Sequence, residues 1–179
     1  MKSAFWKRVA AWAVLLAMFV FPAFAEETQK LDTYYTLAVH YINAGEYDKA
    51  LTYLNACFDY CDEKQSAALA VDLYRKRGCV YTMKGDNEPA LNDLAKATEI
   101  SPEMADAYLV RVQIYSDSGL YSEAVENMEK YIELTGDQEM YATLAQLYEA
   151  KGDYEKALSS YGAYTHAAAV SDAEANYQR

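Results

Sequence analysis

One spacing recurs four times and constrains the fold more than any other feature. Gly45, Gly85, Gly119 and Gly152 stand 40, 34 and 33 residues apart. Four positions before each stands Tyr41, Tyr81, Tyr115 or Tyr148, and eleven before stands Tyr34, Tyr74, Tyr108 or Tyr141. Five positions after stands Ala50, Ala90, Ala124 or Ala157. Two after stands Tyr47, Asn87, Tyr121 or Tyr154, with Asn87 the departure. The clearest copy is Tyr141–Tyr161. Its apolar residues Tyr141, Leu144, Ala145 and Tyr148 have the i, i+3, i+4, i+7 spacing of one helix face. Gly152 stops that helix, because the left-handed conformation past a helix end suits glycine. Asp153 can cap the next helix, whose stripe is Tyr154, Ala157, Leu158 and Tyr161.

The unit is therefore a helix, a tight turn and a helix. One such hairpin cannot bury its own apolar face, whereas stacked hairpins bury it against neighbours. The alanine column lets two backbones approach closely. The tyrosine columns fill the wedges, with their hydroxyls seeking water or a polar partner. Of 18 tyrosines, 11 stand in these three columns, so the tyrosine content is scaffold rather than a base-stacking surface.

A period near 34 with two helices per unit resembles the tetratricopeptide repeat family over residues 31–168. The family's proline near the unit end appears as Pro102. Its leucine three residues after the first aromatic is present as Leu37 and Leu144 and replaced by Arg77 and Arg111. The resemblance implies an all-α protein, an α-α superhelix of four antiparallel helix pairs plus a short C-terminal capping helix. The repeats fall at about 31–64, 71–104, 105–137 and 138–170. The domain spans 26–170, with 171–179 a short C-terminal helix or tail.

Residues 1–25 read as a signal peptide. Lys2, Lys7 and Arg8 are the only charges there, Val9–Phe21 is an apolar run, and Ala23-Phe24-Ala25 supplies a cleavage site. The run has 13 residues, whereas a spanning helix needs about 20. Export to the periplasm or exterior follows, the alternative being an uncleaved membrane anchor. Removing three leader charges from 16 Lys+Arg leaves 13 against 27 Asp+Glu, a net charge of −14. Such a surface repels nucleic acid and anionic lipid. It serves solubility or attracts a basic partner.

The three cysteines, Cys57, Cys61 and Cys79, include no C-x-x-C and have no nearby histidine. They read as small packing residues, not as a redox or zinc site, and no Cys57–Cys79 bond is expected. Asp62-Glu63-Lys64-Gln65-Ser66 lies within a six-residue excess over the period, either a longer turn or extra helical turns. Asp86 and Ser101 are candidate N-caps, with Pro89 and Pro102 in the first turns that follow. Ser171-Asp172-Ala173-Glu174 reads as a capping box for a last short helix. That helix would leave Leu158, Tyr161 and Tyr164 exposed, a surface for self-association or partner docking.

No catalytic constellation is present. His40 and His166 fall in different repeats, and no metal, nucleophile-elbow or phosphate-loop motif appears. The chain is read as non-catalytic, with no cofactor and no metal.

The family resemblance implies a concave groove lined by the second, fifth, ninth, twelfth and thirteenth positions of each repeat. The second gives Asp32, Asp72, Asp106 and Glu139; the fifth, Tyr35, Arg75, Leu109 and Ala142. The ninth gives Val39, Cys79, Gln113 and Gln146. The twelfth and thirteenth include Thr82, Met83 and Asp117. The candidate partner-binding residues are thus Asp32, Tyr35, Val39, Asp72, Arg75, Asp106, Leu109, Gln113, Glu139 and Gln146. The family's Lys/Asn/Arg carboxylate clamp is missing, and the acidic column also complements helix dipoles. The expected partner is a protein segment, a peptide or helix with basic and apolar residues. A soluble small-ligand carrier with a tyrosine-lined pocket is the alternative. Arg77 and Arg111, one period apart, are expected to pair with nearby carboxylates.

Overall fold

Four times a tyrosine carbonyl, a glycine and the residue after it make the same turn. The amide after the glycine donates to the carbonyl of Tyr41, Tyr81, Tyr115 or Tyr148, at 2.8–2.9 Å. The glycine amide donates to the next carbonyl along, that of Ile42, Thr82, Ser116 or Glu149. This pair of bonds is the Schellman motif, and it needs the glycine at positive φ. Gly45, Gly85, Gly119 and Gly152 have φ of 72°, 81°, 72° and 89°. The residue after each glycine also starts the next helix. Its carbonyl accepts the amide of Ala50, Ala90, Ala124 or Ala157.

These turns join eight helices in a computed structural model that describes residues 25–63 and 66–177, with side chains to residue 169. Helix α1 covers 25–43. It is followed by α2 (Tyr47–Phe58), α3 (Ala67–Lys84), α4 (Asn87–Ile100), α5 (Ala105–Asp117), α6 (Tyr121–Thr135), α7 (Met140–Lys151) and α8 (Tyr154–Tyr177). No strand occurs among the described residues. None of these helices is long and apolar enough to cross a membrane. Apart from Ala25, the expected leader lies outside the described residues.

The chain forms two units, one ending at Leu73 and one beginning at Tyr74, within α3. In the first unit α1 and α2 pair through tyrosines. The Tyr41 and Tyr53 rings stack at 5.4 Å, and Tyr34 lies 5.9 Å from Tyr60 and 6.2 Å from Tyr53. Ala38, Ala50 and Leu54 are fully buried there.

In the second unit α5 pairs with α6 and α7 with α8, while α4 packs on α5 and α6 on α7. One core layer joins Ala90 and Leu94 of α4 to Ala107 and Ile114 of α5. The next joins Val125, Met128 and Ile132 of α6 to Leu144, Leu147 and Tyr148 of α7. Tyr148 meets the need for a polar partner by donating its hydroxyl to Glu129. Burial, reinforced by that carboxylate, pushes the phenol far above its usual range.

The structure corrects three sequence expectations. Ser101 does not cap α5. It closes α4 with its amide on the Ala97 carbonyl, and its own carbonyl accepts the Met104 amide, so Ser101–Met104 is a turn. Pro102 sits at its second position, where a fixed φ is already right. Asp86 stands at the start of α4 but makes no side-chain cap bond. Its carboxylate lies 3.7 Å from Lys84 Nζ instead. No break precedes Ser171, because α8 is continuous to Tyr177. The stretch from Ala163 to Tyr177 holds no Gly or Pro and is rich in alanine, the best helix former. The side chains of Ser171 and Glu174, and residues 64 and 65 of the insertion, lie outside the described residues. What is described of the insertion is divided between the 59–66 connection and an early start of α3, which has 18 residues against 13 in α5.

Candidate functional site

First helices of successive repeats carry the candidate residues, and the two units are taken separately. In the first, Asp32 is exposed and Tyr35 and Val39 are half-buried. The Tyr35 hydroxyl donates to Asp72 Oδ2 at 2.6 Å. Two candidate contact residues are therefore bonded to each other. Asp72 thus joins α3 to α1 through Tyr35.

In the second unit α3 and α5 present a cavity of about 200 Å³ lined by Cys79, Thr82, Met83, Val110 and Gln113. Its wall is apolar for a local reason. Thr82 donates its hydroxyl to the Gly78 carbonyl at 2.9 Å, a backbone bond within its own helix. Burial raises the Cys79 thiol above its usual value, with Arg75 and Asp106 close enough to act on it in opposite directions. The thiol is therefore a protonated packing group rather than a nucleophile. Met83 in the cavity's lining and Leu109 on α5 are exposed, at 57% and 37%. Asp117, one turn after Gln113 on α5, accepts a long bond of 3.5 Å from its amide nitrogen. Arg75 and Asp106 thus stand near one end of the cavity and Asp117 near the other.

Glu139, just before α7, and Gln146 on α7 are exposed and do not line this cavity. Glu139 borders a separate cleft of about 760 Å³ between the start of α7 and Tyr164, Ala167 and Ala168 of α8. Another cleft, about 390 Å³, lies between α6 and α7 beside Tyr141 and Leu144. Each of these clefts has a single tyrosine in its lining, not a tyrosine-lined pocket. Val110 is the cavity residue that repeat-column reasoning missed; it follows Leu109 and turns toward α3. Its signal was a valine where a strictly solvated face would be polar.

The repeated arginines behave differently from each other. Arg77 pairs with Asp93 on α4, through Nε–Oδ2 at 2.7 Å and Nη2–Oδ1 at 2.8 Å. Arg111 lies 5.9 Å from the Tyr108 and Tyr115 ring centres, and its buried Nε has no hydrogen-bond partner. Cys57, Cys61 and Cys79 are free thiols. Among the described residues no group of three or more His, Cys, Asp and Glu side chains is placed to hold a metal ion.

Comparison with known proteins agrees with this architecture. The family profile described as tetratricopeptide repeat matches residues 31–63, 105–138 and 138–165. The chain is 27% identical over 139 residues to tetratricopeptide repeat protein 13 of Homo sapiens, covering 75% of this chain but only 16% of that protein. Among solved structures, MamA superposes with a TM-score of 0.66 at 22% identity, over 76% of this chain and 77% of that one. YrrB, described as a TPR protein with an unusual peptide-binding site, gives 0.62 at 20% identity, over 86% and 81%. Likeness at such identities shows the fold, the class of α-α superhelices. The profile matches omit residues 64–104, where the insertion, Arg77 and Asn87 depart from the repeat, yet Gly85 makes the same turn there as in the other three copies. With its matched segments covering more than half of its length, the chain belongs to the tetratricopeptide repeat family.

Proposed function

We propose that the protein is a non-catalytic adaptor of the cell envelope that holds an extended segment of a partner protein against the first helices of its repeats. The observation that carries this reading is the apolar cavity between α3 and α5, with Met83 and Leu109 exposed nearby. At about 200 Å³ it is smaller than the roughly 300–1,000 Å³ typical of drug-sized ligands, and suits a single apolar side chain. The groove columns add charge: Asp106, Asp117 and Glu139 are exposed. With the chain at −14 beyond its leader, these acids favour a segment carrying Lys or Arg beside its apolar anchor. The leader-like residues 1–25 support the envelope location.

The carrier reading rests on the cleft of about 760 Å³ beside Tyr164, whose size suits a small ligand. The two readings predict different results. Extended peptides with one Leu or Met and neighbouring Lys residues are titrated calorimetrically against the protein. Binding is expected, and Val110→Glu is expected to weaken it about tenfold or more, since misfit in an apolar pocket costs about 1–3 kcal/mol. Asp117→Asn is expected to weaken it less and to flatten its salt dependence. Peptide binding indifferent to Val110→Glu, or a small molecule retained in native mass spectrometry and lost on Tyr164→Ala, would sink the adaptor reading.

A further inference from the structure

The outer face of α8 breaks a pattern that the preceding second helices keep. Counting from the turn glycine, positions two, six and nine of α6 are Tyr121, Val125 and Met128. Val125 and Met128 are buried, at 3% and 1%, and Tyr121 packs against the same cluster, which includes Leu144 and Leu147 of α7. In α4 the sixth and ninth positions, Leu91 and Leu94, pack with Ala107 and Ile114 of α5. These columns therefore meet the first helix of the next repeat. In α8 the same three positions are Tyr154, Leu158 and Tyr161. Tyr154 is 72% exposed, Leu158 is 75% exposed, and Tyr161 is half-buried.

At 100° per residue Thr165, Ala168 and Ala169 continue this stripe, which runs about 21 Å from Tyr154 to Ala168. A face of this composition is built to be covered.

Its chemistry selects the cover. The chain is strongly acidic, at −14 beyond the leader, and copies of it repel one another over most of the surface. Residues 154–169 carry no net charge: they hold one acid, Glu155, one base, Lys156, and His166. Two such helices meet without net repulsion.

Helix α1 is a poor mate for the same stripe. Twelve and five positions before the turn glycine, α5 presents Ala107 and Ile114 to α4, and α7 presents Met140 and Leu147 to α6. In α1 those positions are Thr33 and His40, both exposed. The Thr33 hydroxyl is already bonded to the Gln29 carbonyl at 2.8 Å. A head-to-tail chain of copies would bury these polar groups under Leu158. A twofold pairing buries apolar surface on both sides and closes on itself.

We infer that the occupant is a second copy of this chain, its α8 laid on the first about a twofold axis through the Tyr154–Leu158–Tyr161 stripe. The pairing is independent of the groove between α3 and α5.

Sedimentation equilibrium on the protein as cells process it tests this. The wild type is expected at twice the chain mass, and Leu158→Glu at one chain mass with an unchanged helical circular dichroism spectrum. Leu120→Glu, at an exposed apolar residue outside the stripe, and His40→Glu are expected to stay dimeric. A wild type that is monomeric at its highest soluble concentration overturns the pairing. So does a dimer that survives Leu158→Glu, or open-ended oligomers dispersed by His40→Glu.

Discussion

Arg77 grips Asp93 with two parallel hydrogen bonds, 2.7 and 2.8 Å long, across the hairpin of α3 and α4. The pair is largely buried, with side-chain exposures of 20% and 8%. Burial by itself would lower the Arg77 guanidinium; the hydrogen bond and charge of Asp93 outweigh it and hold it above its usual value. Asp93 stands eight positions after Gly85. The same position in the next two repeats is Asn127 and Ser160, and all three are buried polar residues. One column of these three repeats thus places a polar residue inside the hairpin, and in the first of them it partners the arginine of the facing helix.

Removing the carboxylate leaves a guanidinium with no counter-charge inside a hairpin. Asp93→Ala is expected to cost about 3 kcal/mol, the lower end for breaking a buried pair. Replacing both partners, Arg77→Met with Asp93→Leu, is expected to recover most of it, because two desolvated charges leave together. Urea unfolding of the three variants checks this. A double replacement no more stable than Asp93→Ala alone contradicts the account.

The next repeat carries the arginine without the acid. Asn127 turns its amide back on its own helix, donating to the Glu123 carbonyl at 2.7 Å, while Arg111 Nε is left without a partner. Asn127→Asp is therefore expected to stabilise the protein by about 1 kcal/mol, within the range of a hydrogen bond to a charged group. In an Arg111→Met background the same change is expected to destabilise, since the new carboxylate is then buried alone. A double-mutant cycle with no coupling between the two positions refutes the pairing.

Much of this could be read ahead of the coordinates. The turn glycines, the alanine column and the first-helix tyrosines follow from a spacing and from the conformations that glycine and alanine allow. Arg77 and Arg111 were visible as a recurring departure, but their unlike fates depend on Asp93 and Asn127, one residue type apart on another helix. Ser101 and Pro102 suit a turn as well as a helix start, so side chains alone place the start of α5 too early. The competition is settled by the Ala97 and Met104 backbone groups, which no side-chain pattern records. Of the groove columns, sequence could say which residues share a face. It could not say that Tyr35 takes Asp72, or that Val110 completes a cavity with Cys79 and Met83, because both depend on how neighbouring first helices are spaced.

Two glycines are needed for opposite reasons. A Cβ at Gly152 would meet no atom within 4 Å, but the residue sits at φ +89°. Gly152→Ala should cost about 1–2 kcal/mol from backbone strain alone. Gly78 lies inside α3, where a Cβ would come within 3.0 Å and 3.2 Å of two atoms of Leu94 and 3.3 Å of the Ala90 carbonyl oxygen. Leu94 is fully buried and has nowhere to retreat. Gly78→Ala should therefore destabilise despite alanine's advantage of about 1 kcal/mol within a helix. Adding Leu94→Ala, which removes both contacting carbons, is expected to relieve the second variant relative to Leu94→Ala alone and to leave the cost of the first unchanged. Equal relief in both would show that the two glycines are not distinguished in this way.

Cys57 links stability to alkaline pH. It is fully buried on α2, and burial, with a smaller effect of Cys61, pushes its thiol up to about 11 from an ordinary value of 9.0. The folded state thus holds the neutral form, while the unfolded chain ionises near 9. Stability from this difference is fully present below pH 9 and is lost as pH rises through 11. A Cys57→Ala variant leaves a small cavity but cannot ionise, so it lacks this dependence. Its stability deficit against the wild type is expected to be constant between pH 7 and about 8.5 and to shrink steadily towards pH 11. Urea midpoints of both proteins across that range, in reductant to keep the thiols free, measure the difference directly. A deficit that stays flat to pH 11 would mean that the Cys57 thiol ionises as readily inside the helix pair as it does in the unfolded chain.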